Sequence, residues 1–208
     1  MSVAEFPRNV LAQPALLQTV VELVRRDSIG PVAVPSHARP GNAQASSPPG
    51  TPAPAHHRLE VLTAVAREAI AGLVTALQGA IIDAQNAPAM GQWRAMGHAF
   101  LRWVHDNPVQ FQVMSTPALV DVDESGLADG YRHIRAELRR LITTATADGD
   151  IYCVSVEDTL VSTRSFIYGL ARMHVDGHFP GWGVRDGDAL TTMQRLFDSY
   201  LFGLRRTR

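Results

Sequence analysis

Large apolar residues recur at helical spacing through most of the chain and disappear from one stretch near its start. From Pro14 to Asp27, Leu16, Leu17, Val20, Val21, Leu23 and Val24 mark one face of a helix, and Gly30-Pro31 stops it. Residues 35–57, PSHARPGNAQASSPPGTPAPAHH, hold no large apolar side chain. Proline lacks the amide donor a helix needs, and so much Pro, Ser, Gly and Ala cannot bury a core, so this stretch predicts a loop or disorder. It divides the chain into a head, residues 1–57, and a body, residues 58–208.

The body reads as helix after helix. Leu59 to Ala84 places Leu62, Val65, Ala69, Leu73, Leu77 and Ile81 on one stripe, a long core helix. Gly91 to Asp106 carries Trp93, Met96, Phe100, Trp103 and Val104, and Asn107-Pro108 ends it. Pro108 then suits the first turn of a short helix with Val109, Phe111, Val113 and Met114. Glu124 to Ala147 is amphipathic and closes at Asp148-Gly149. Ser155 is a good N-cap, with Glu157 and Asp158 where the helix dipole favours acids, for a helix running to about His178. FPGWG breaks it, and Asp188 to Leu204 forms the last helix. Only Val32–Val34 and Ile151–Val156 resemble strands, so the class is all-α.

The last two helices are unusually apolar for terminal ones. Phe166, Leu170, Leu196, Phe197, Tyr200 and Leu201 are candidates for a two-fold dimer interface, because isologous contact is the commonest way to hide such a patch. Ordinary core is the equal alternative.

Composition sharpens this in three places. The chain has 208 residues, 46% of them hydrophobic, with 19 basic against 20 acidic residues, which excludes wholesale disorder and gives no global pull toward nucleic acid. One cysteine, Cys153, excludes a disulfide scaffold and fits a reducing compartment. No unbroken apolar run approaches the ~20 residues of a membrane span. The N-terminus has no signal-peptide layout, so a cytoplasmic protein without membrane contact is expected. All the basic residues are Arg, which suggests GC-rich coding DNA.

Few residues suggest chemistry. His174 and His178 share the i,i+4 spacing of two metal ligands, but no HExxH pattern accompanies them, and helix-end histidines are the plainer reading. His98 and His105 lie one heptad apart and could line a pocket or simply bond to backbone. Cys153 has no visible catalytic partner, and no nucleophile elbow or phosphate loop is present. Neither an enzyme, a cofactor nor a metal site is expected. Phe100, Trp103, Phe111, Met114, Tyr168 and Met173 are core residues or the lining of an adaptable apolar pocket.

Two segments resemble a known family. AMGHAFLRWVHDNPVQFQVM (Ala95 to Met114) is similar to GxAYxxFAxxHPxxFxxMF of TetR-family transcriptional regulators with a WHG-type C-terminal domain. FIYGLARMHVDGHF (Phe166 to Phe179) resembles that domain's WxxVHGLAxLxxDGxL, matching at Gly169, Leu170, Ala171, Asp176 and Gly177. Tyr168 stands where the signature has His, and Arg164 where it has Trp. The resemblance covers about residues 59–204. It implies a helical bundle that binds a small apolar or aromatic molecule, forms a homodimer through its last two helices, and couples ligand to affinity for a DNA operator, usually as a repressor.

The head departs from the family. QPALLQTVVELVRRDSIGPVAV is similar to the family's first helix, after which a helix-turn-helix should follow; by position it falls on Ser36 to His57, where the proline run stands. Two regular helices are sterically excluded there. That segment has one Arg, Arg39, and residues 1–57 carry four Arg against three acids, which argues against strong specific DNA binding. Written in GC-rich codons and read from the third base, Pro35 to Gly41 gives Val-Ala-Arg-Pro-Ala-Gly, close to the motif's IAxxAG. A local frameshift is therefore one origin of the run; a divergent or lost head is the other.

Overall fold

Six helices among the described residues follow the apolar periodicity of the body. The structure, a computed structural model, describes residues 54–116, 120–153 and 155–206. The expected helix over 14–27, the Val32–Val34 run and nearly all of the Ser36–His57 segment lie outside the described residues.

The first helix, α1, spans Pro54–Asp83. It thus takes in residues 54–57, which the sequence had assigned to the irregular stretch. The reason is local: Pro54 occupies the first helical position, where a missing amide donor costs nothing, and the residues after it contain no further proline. Leu62, Val65, Ala69, Leu73 and Leu77 lie buried along one stripe. Leu59–Asp83 is long and apolar enough by length and composition to cross a membrane, a property the search for unbroken apolar runs had missed. Its stripe, however, is packed against other helices. Arg67 on the same helix donates twice to the Glu124 carbonyl oxygen, at 3.1 and 2.6 Å. Those contacts are what a core helix makes.

Helix α2 (Ala89–Asp106) follows a short turn, and α3 (Pro108–Met114) follows it directly. Asn107 sits between them with its side-chain amide donating to the Trp103 carbonyl at 2.9 Å, which closes α2 while Pro108 opens α3. Helix α4 spans Leu127–Ala147, three residues later than Glu124. There the Asp121 carboxylate accepts from the amides of Asp123 and Glu124 at 3.0 Å, a turn that competes with helix, and Gly126 enters α4 with φ +71°.

Helix α5 (Val156–Val175) starts as expected: the Ser155 hydroxyl accepts from the Asp158 amide at 3.1 Å. Its end comes three residues before His178. Gly177 adopts φ +71°, and the His178 amide turns back to the Met173 carbonyl at 2.8 Å, a glycine-dependent helix stop. Two short 3-10 turns, Phe179–Trp182 and Asp186–Asp188, lead to α6 (Ala189–Gly203). Of the run expected at Ile151–Val156, only Ile151 pairs, in an isolated antiparallel bridge with Arg205 that ties the α4–α5 link to the end of α6.

The core is built around α2, which packs against α1, α4, α5 and α6. Gly97 lets α2 and α6 approach closely: a Cβ there would overlap the Phe197 ring, which is 0% exposed. Gly130 does the same for α1 and α4 against Ile70. Burying a side chain the size of Phe197 contributes roughly 1.5–3 kcal/mol, so these close approaches secure much of the packing.

Candidate ligand-binding site

Beside the Gly97–Phe197 contact, which itself forms part of the wall, α2, α4 and α5 part. Trp93, Met96 and Phe100 recur along one face of α2, and Tyr131, Ile134 and Leu138 along the opposing face of α4. With Leu73, Leu77 and Ile167 they enclose an inner cavity of about 60 Å³. It opens between α4 and α5 onto an outer cleft of about 430 Å³, bordered by Arg135, Glu157, Val161 and Ser165. A third recess of about 300 Å³ reaches toward Met114 and Tyr168. Tyr131 and Arg164 border all three spaces, which therefore adjoin around these two side chains.

Arg164 is the charged group there. Its guanidinium carbon lies 4.7 Å from the Tyr168 ring centroid, 5.5 Å from Tyr131 and 5.9 Å from Phe100. Each distance is within the reach of a cation–π attraction, worth about 0.5–1 kcal/mol at an exposed site. Among the described residues no carboxylate pairs with it, while other arginines of the body do pair: Arg139 and Arg135 share Glu157, and Arg94 is held by Asp198. Burial pushes the Tyr131 phenol above its ordinary pKa, an effect the nearby Arg164 charge partly offsets. Tyr131 therefore stays neutral at physiological pH, its hydroxyl 3.4 Å from the Met114 carbonyl oxygen.

The inner wall carries a second unusual group. Trp93 is 1% exposed and its indole N–H finds no acceptor among the described residues. A buried donor without a partner costs roughly 1–3 kcal/mol.

Of the residues expected to line a pocket, Phe100 borders the inner cavity, and Met114 and Tyr168 border the third recess. Phe111 stands behind them, its ring 6.1 Å from Phe100 and 5.4 Å from Tyr168. Trp103 and Met173 pack half-buried against the core and border none of these spaces. Arg164 and Tyr131 were missed. Arg164 had been noted only as a departure from a signature, and no spacing rule marks a lone surface arginine.

The other candidates separate in the same way. His98 does not line the cleft: its Nε2 meets the Asp198 carboxylate at 2.7 Å, beside two Arg94 hydrogen bonds of 2.7 Å each. These partners hold the Asp198 carboxyl below its ordinary pKa, Arg94 contributing most. His105 stacks on His174 with ring centroids 5.0 Å apart, and Nδ1 of one lies 3.2 Å from Nε2 of the other. Among the described residues no group of three or more His, Cys, Asp or Glu side chains could hold a metal. Cys153 lies 3.3 Å from the Thr159 hydroxyl. Of the interface candidates, Leu170, Phe197 and Leu201 are buried inside the chain itself, so ordinary core accounts for them. Phe166, Leu196 and Tyr200 remain half-buried.

The family description "Tetracyclin repressor-like, C-terminal domain" matches residues 93–198, just over half of the chain. The chain belongs to the TetR family. The matched segment includes the α2, α4 and α5 walls of the cleft and most of α6. No curated protein matches the whole sequence. Among solved structures, the TetR-family fold recurs in a bacterial regulatory protein of that family from Rhodococcus RHA1, with a TM-score of 0.57 and 17% identity over 72% of this chain and 75% of that chain. A protein of unknown function from Rhodococcus sp. RHA1 aligns with a TM-score of 0.55 and 19% identity over the same shares. Membership in the TetR family makes this chain a transcriptional regulator in general.

Proposed function

We propose that this TetR-family regulator is ligand-responsive: a homodimer whose body binds a small, largely apolar molecule in the cleft between α2, α4 and α5, and whose occupancy alters affinity for an operator. The observation that carries this reading is the cleft itself. It is walled by apolar side chains from five helices, reaches the core, and opens beside Arg164 and Tyr131. Clefts of this kind, mostly apolar with a few placed polar groups, are the usual form of a small-molecule site.

Dimer formation through α5 and α6 is supported by what those helices leave uncovered. Phe202 is 73% exposed, and elsewhere on α6 the half-buried Tyr200 stacks on Phe166 of α5 at 4.8 Å. In such an assembly a ligand that favours one dimer geometry shifts the population of states and so the spacing of the two heads. Repression is the mode this reading expects.

The proline run of residues 35–57 favours a second reading for the head, a dimeric ligand-binding module that has lost DNA recognition. A gel-shift across a salt series, using the DNA flanking the protein's own gene, decides between them. Specific retention at moderate salt, released by a cleft ligand, supports the regulator; salt-sensitive binding without sequence preference supports the module. Sedimentation analysis tests the dimer separately, and a monomer at micromolar concentration would remove both forms of the proposal.

A further inference from the structure

We infer that the cleft selects an anionic amphipath: a monocarboxylate whose acid group is held by Arg164 and whose slender apolar portion enters the inner cavity. This inference rests on the cleft being a ligand site, as proposed above, and adds which chemical class it takes.

The charge arrangement carries it. Two arginines, Arg135 and Arg164, border the outer cleft against one acid, Glu157. That acid is already engaged by Arg139, with Arg135 at 3.6 Å, so its charge is spent within the chain. Of the two, only Arg164 has no carboxylate partner among the described residues, and it borders all three spaces. Three aromatic rings at 4.7–5.9 Å fix the guanidinium in place. A planar guanidinium held on ring faces still has the edge donors that a carboxylate engages in pairs, which a lysine in its place could not reproduce.

Shape and polarity supply the rest. The inner cavity is narrow, about 60 Å³, and its walls are Leu73, Leu77, Met96 and Ile134 with the aromatic rings. It suits an unbranched alkyl chain or the edge of one ring, not a bulky polar molecule. Its only buried polar atom without a partner among the described residues is a donor, the Trp93 indole N–H, so nothing in the wall calls for a cationic or donor-rich ligand. Arg164 and Tyr168, two of the positions where the second segment departs from its signature, are the cation and its nearest ring.

The test compares head groups on one chain length, using the full-length protein. Decanoate and 1-decanol, at concentrations below self-association, are titrated while the fluorescence of the tryptophans is followed, Trp93 being in the wall. The inference expects decanoate to bind at least about tenfold more tightly than the alcohol, a difference of about 1.4 kcal/mol. In Arg164→Met the preference for acid over alcohol should fall from about tenfold to about onefold. Equal binding of acid and alcohol by the native protein overturns the anion inference and leaves the ligand site standing, whether or not the variant folds. If neither compound binds, and hexanoate, dodecanoate and 1-naphthoate also fail, the ligand-site reading falls with it.

Discussion

The two flanks of the inner cavity use similar residues to opposite ends. On one flank α6 closes against α2: Gly97 admits the Phe197 ring, both line the cavity, and Arg94, His98 and Asp198 cross the outer edge of the contact. On the other, α4 and α5 stand off and leave a cleft, beside an arginine that meets rings and no acid. Both flanks are apolar and both carry charge. The difference lies in volume against gap, since a missing side chain at Gly97 draws α2 and α6 together, while Trp93, Met96, Phe100 and Tyr131 stand between the other helices. It lies also in whether each charge is answered by a carboxylate within the chain.

If the first flank is the structural one, damage there should be largest. Phe197→Ala removes a fully buried ring that also lines the inner cavity; it should cost about 3–5 kcal/mol in a urea titration and enlarge the cavity in the surviving folded fraction. Gly97→Ala forces a methyl into the Phe197 ring, which is buried and cannot swing away; about 1–3 kcal/mol is expected, read as a lower Tm. A neutral result would mean the two helices separate easily and that the closed flank is not tight.

The open flank should show the reverse balance. Ile134→Ala trims a half-buried residue that borders both the inner cavity and the outer cleft, so its stability cost should stay under about 2 kcal/mol, below the range for fully buried sites, while cleft affinity falls. The Arg94–Asp198 pair is partly exposed and screened, so Asp198→Asn should cost at most about 1 kcal/mol. Because Asp198 has its pKa lowered by Arg94, its contribution is present above the ordinary aspartate pKa and is lost as pH falls through the lowered one. Comparing the native protein with Asp198→Asn down an acid titration should therefore show their stabilities converging. Arg164→Met should be the smallest in stability, within about 0.5–1 kcal/mol by thermal melting, although its effect on acid binding is the one predicted above.

Much of the framework was legible before any contact was known. Ser155 with two acids behind it announced a helix start, and Asn107-Pro108 announced the joint between α2 and α3, because caps and proline act through residues adjacent in sequence. The family likeness of Ala95–Met114 and Phe166–Phe179 likewise placed the fold. Errors occurred where a competing local bond was invisible, as at Asp121, whose carboxylate delays α4, and at His178, where Gly177 turns the backbone first.

The site was less legible. Phe100, Met114 and Tyr168 reached the cleft, but Trp103 and Met173, equally good candidates by type, pack beside it. Phe197 was offered to a partner subunit and is used within the chain, since the glycine that receives it lies 100 residues earlier. Arg164 gave no signal, because its meaning depends on rings from α2, α4 and its own helix arriving together.

The sequence by itself determined the helices, their order and their family, since periodicity, caps and breakers operate over a turn or two of chain. Only the tertiary structure decided which apolar residues fill space and which bound it, and that the arginine beside the cleft meets rings and no acid. Those properties belong to gaps between helices distant in sequence, and a gap is set by the side chains on both sides of it.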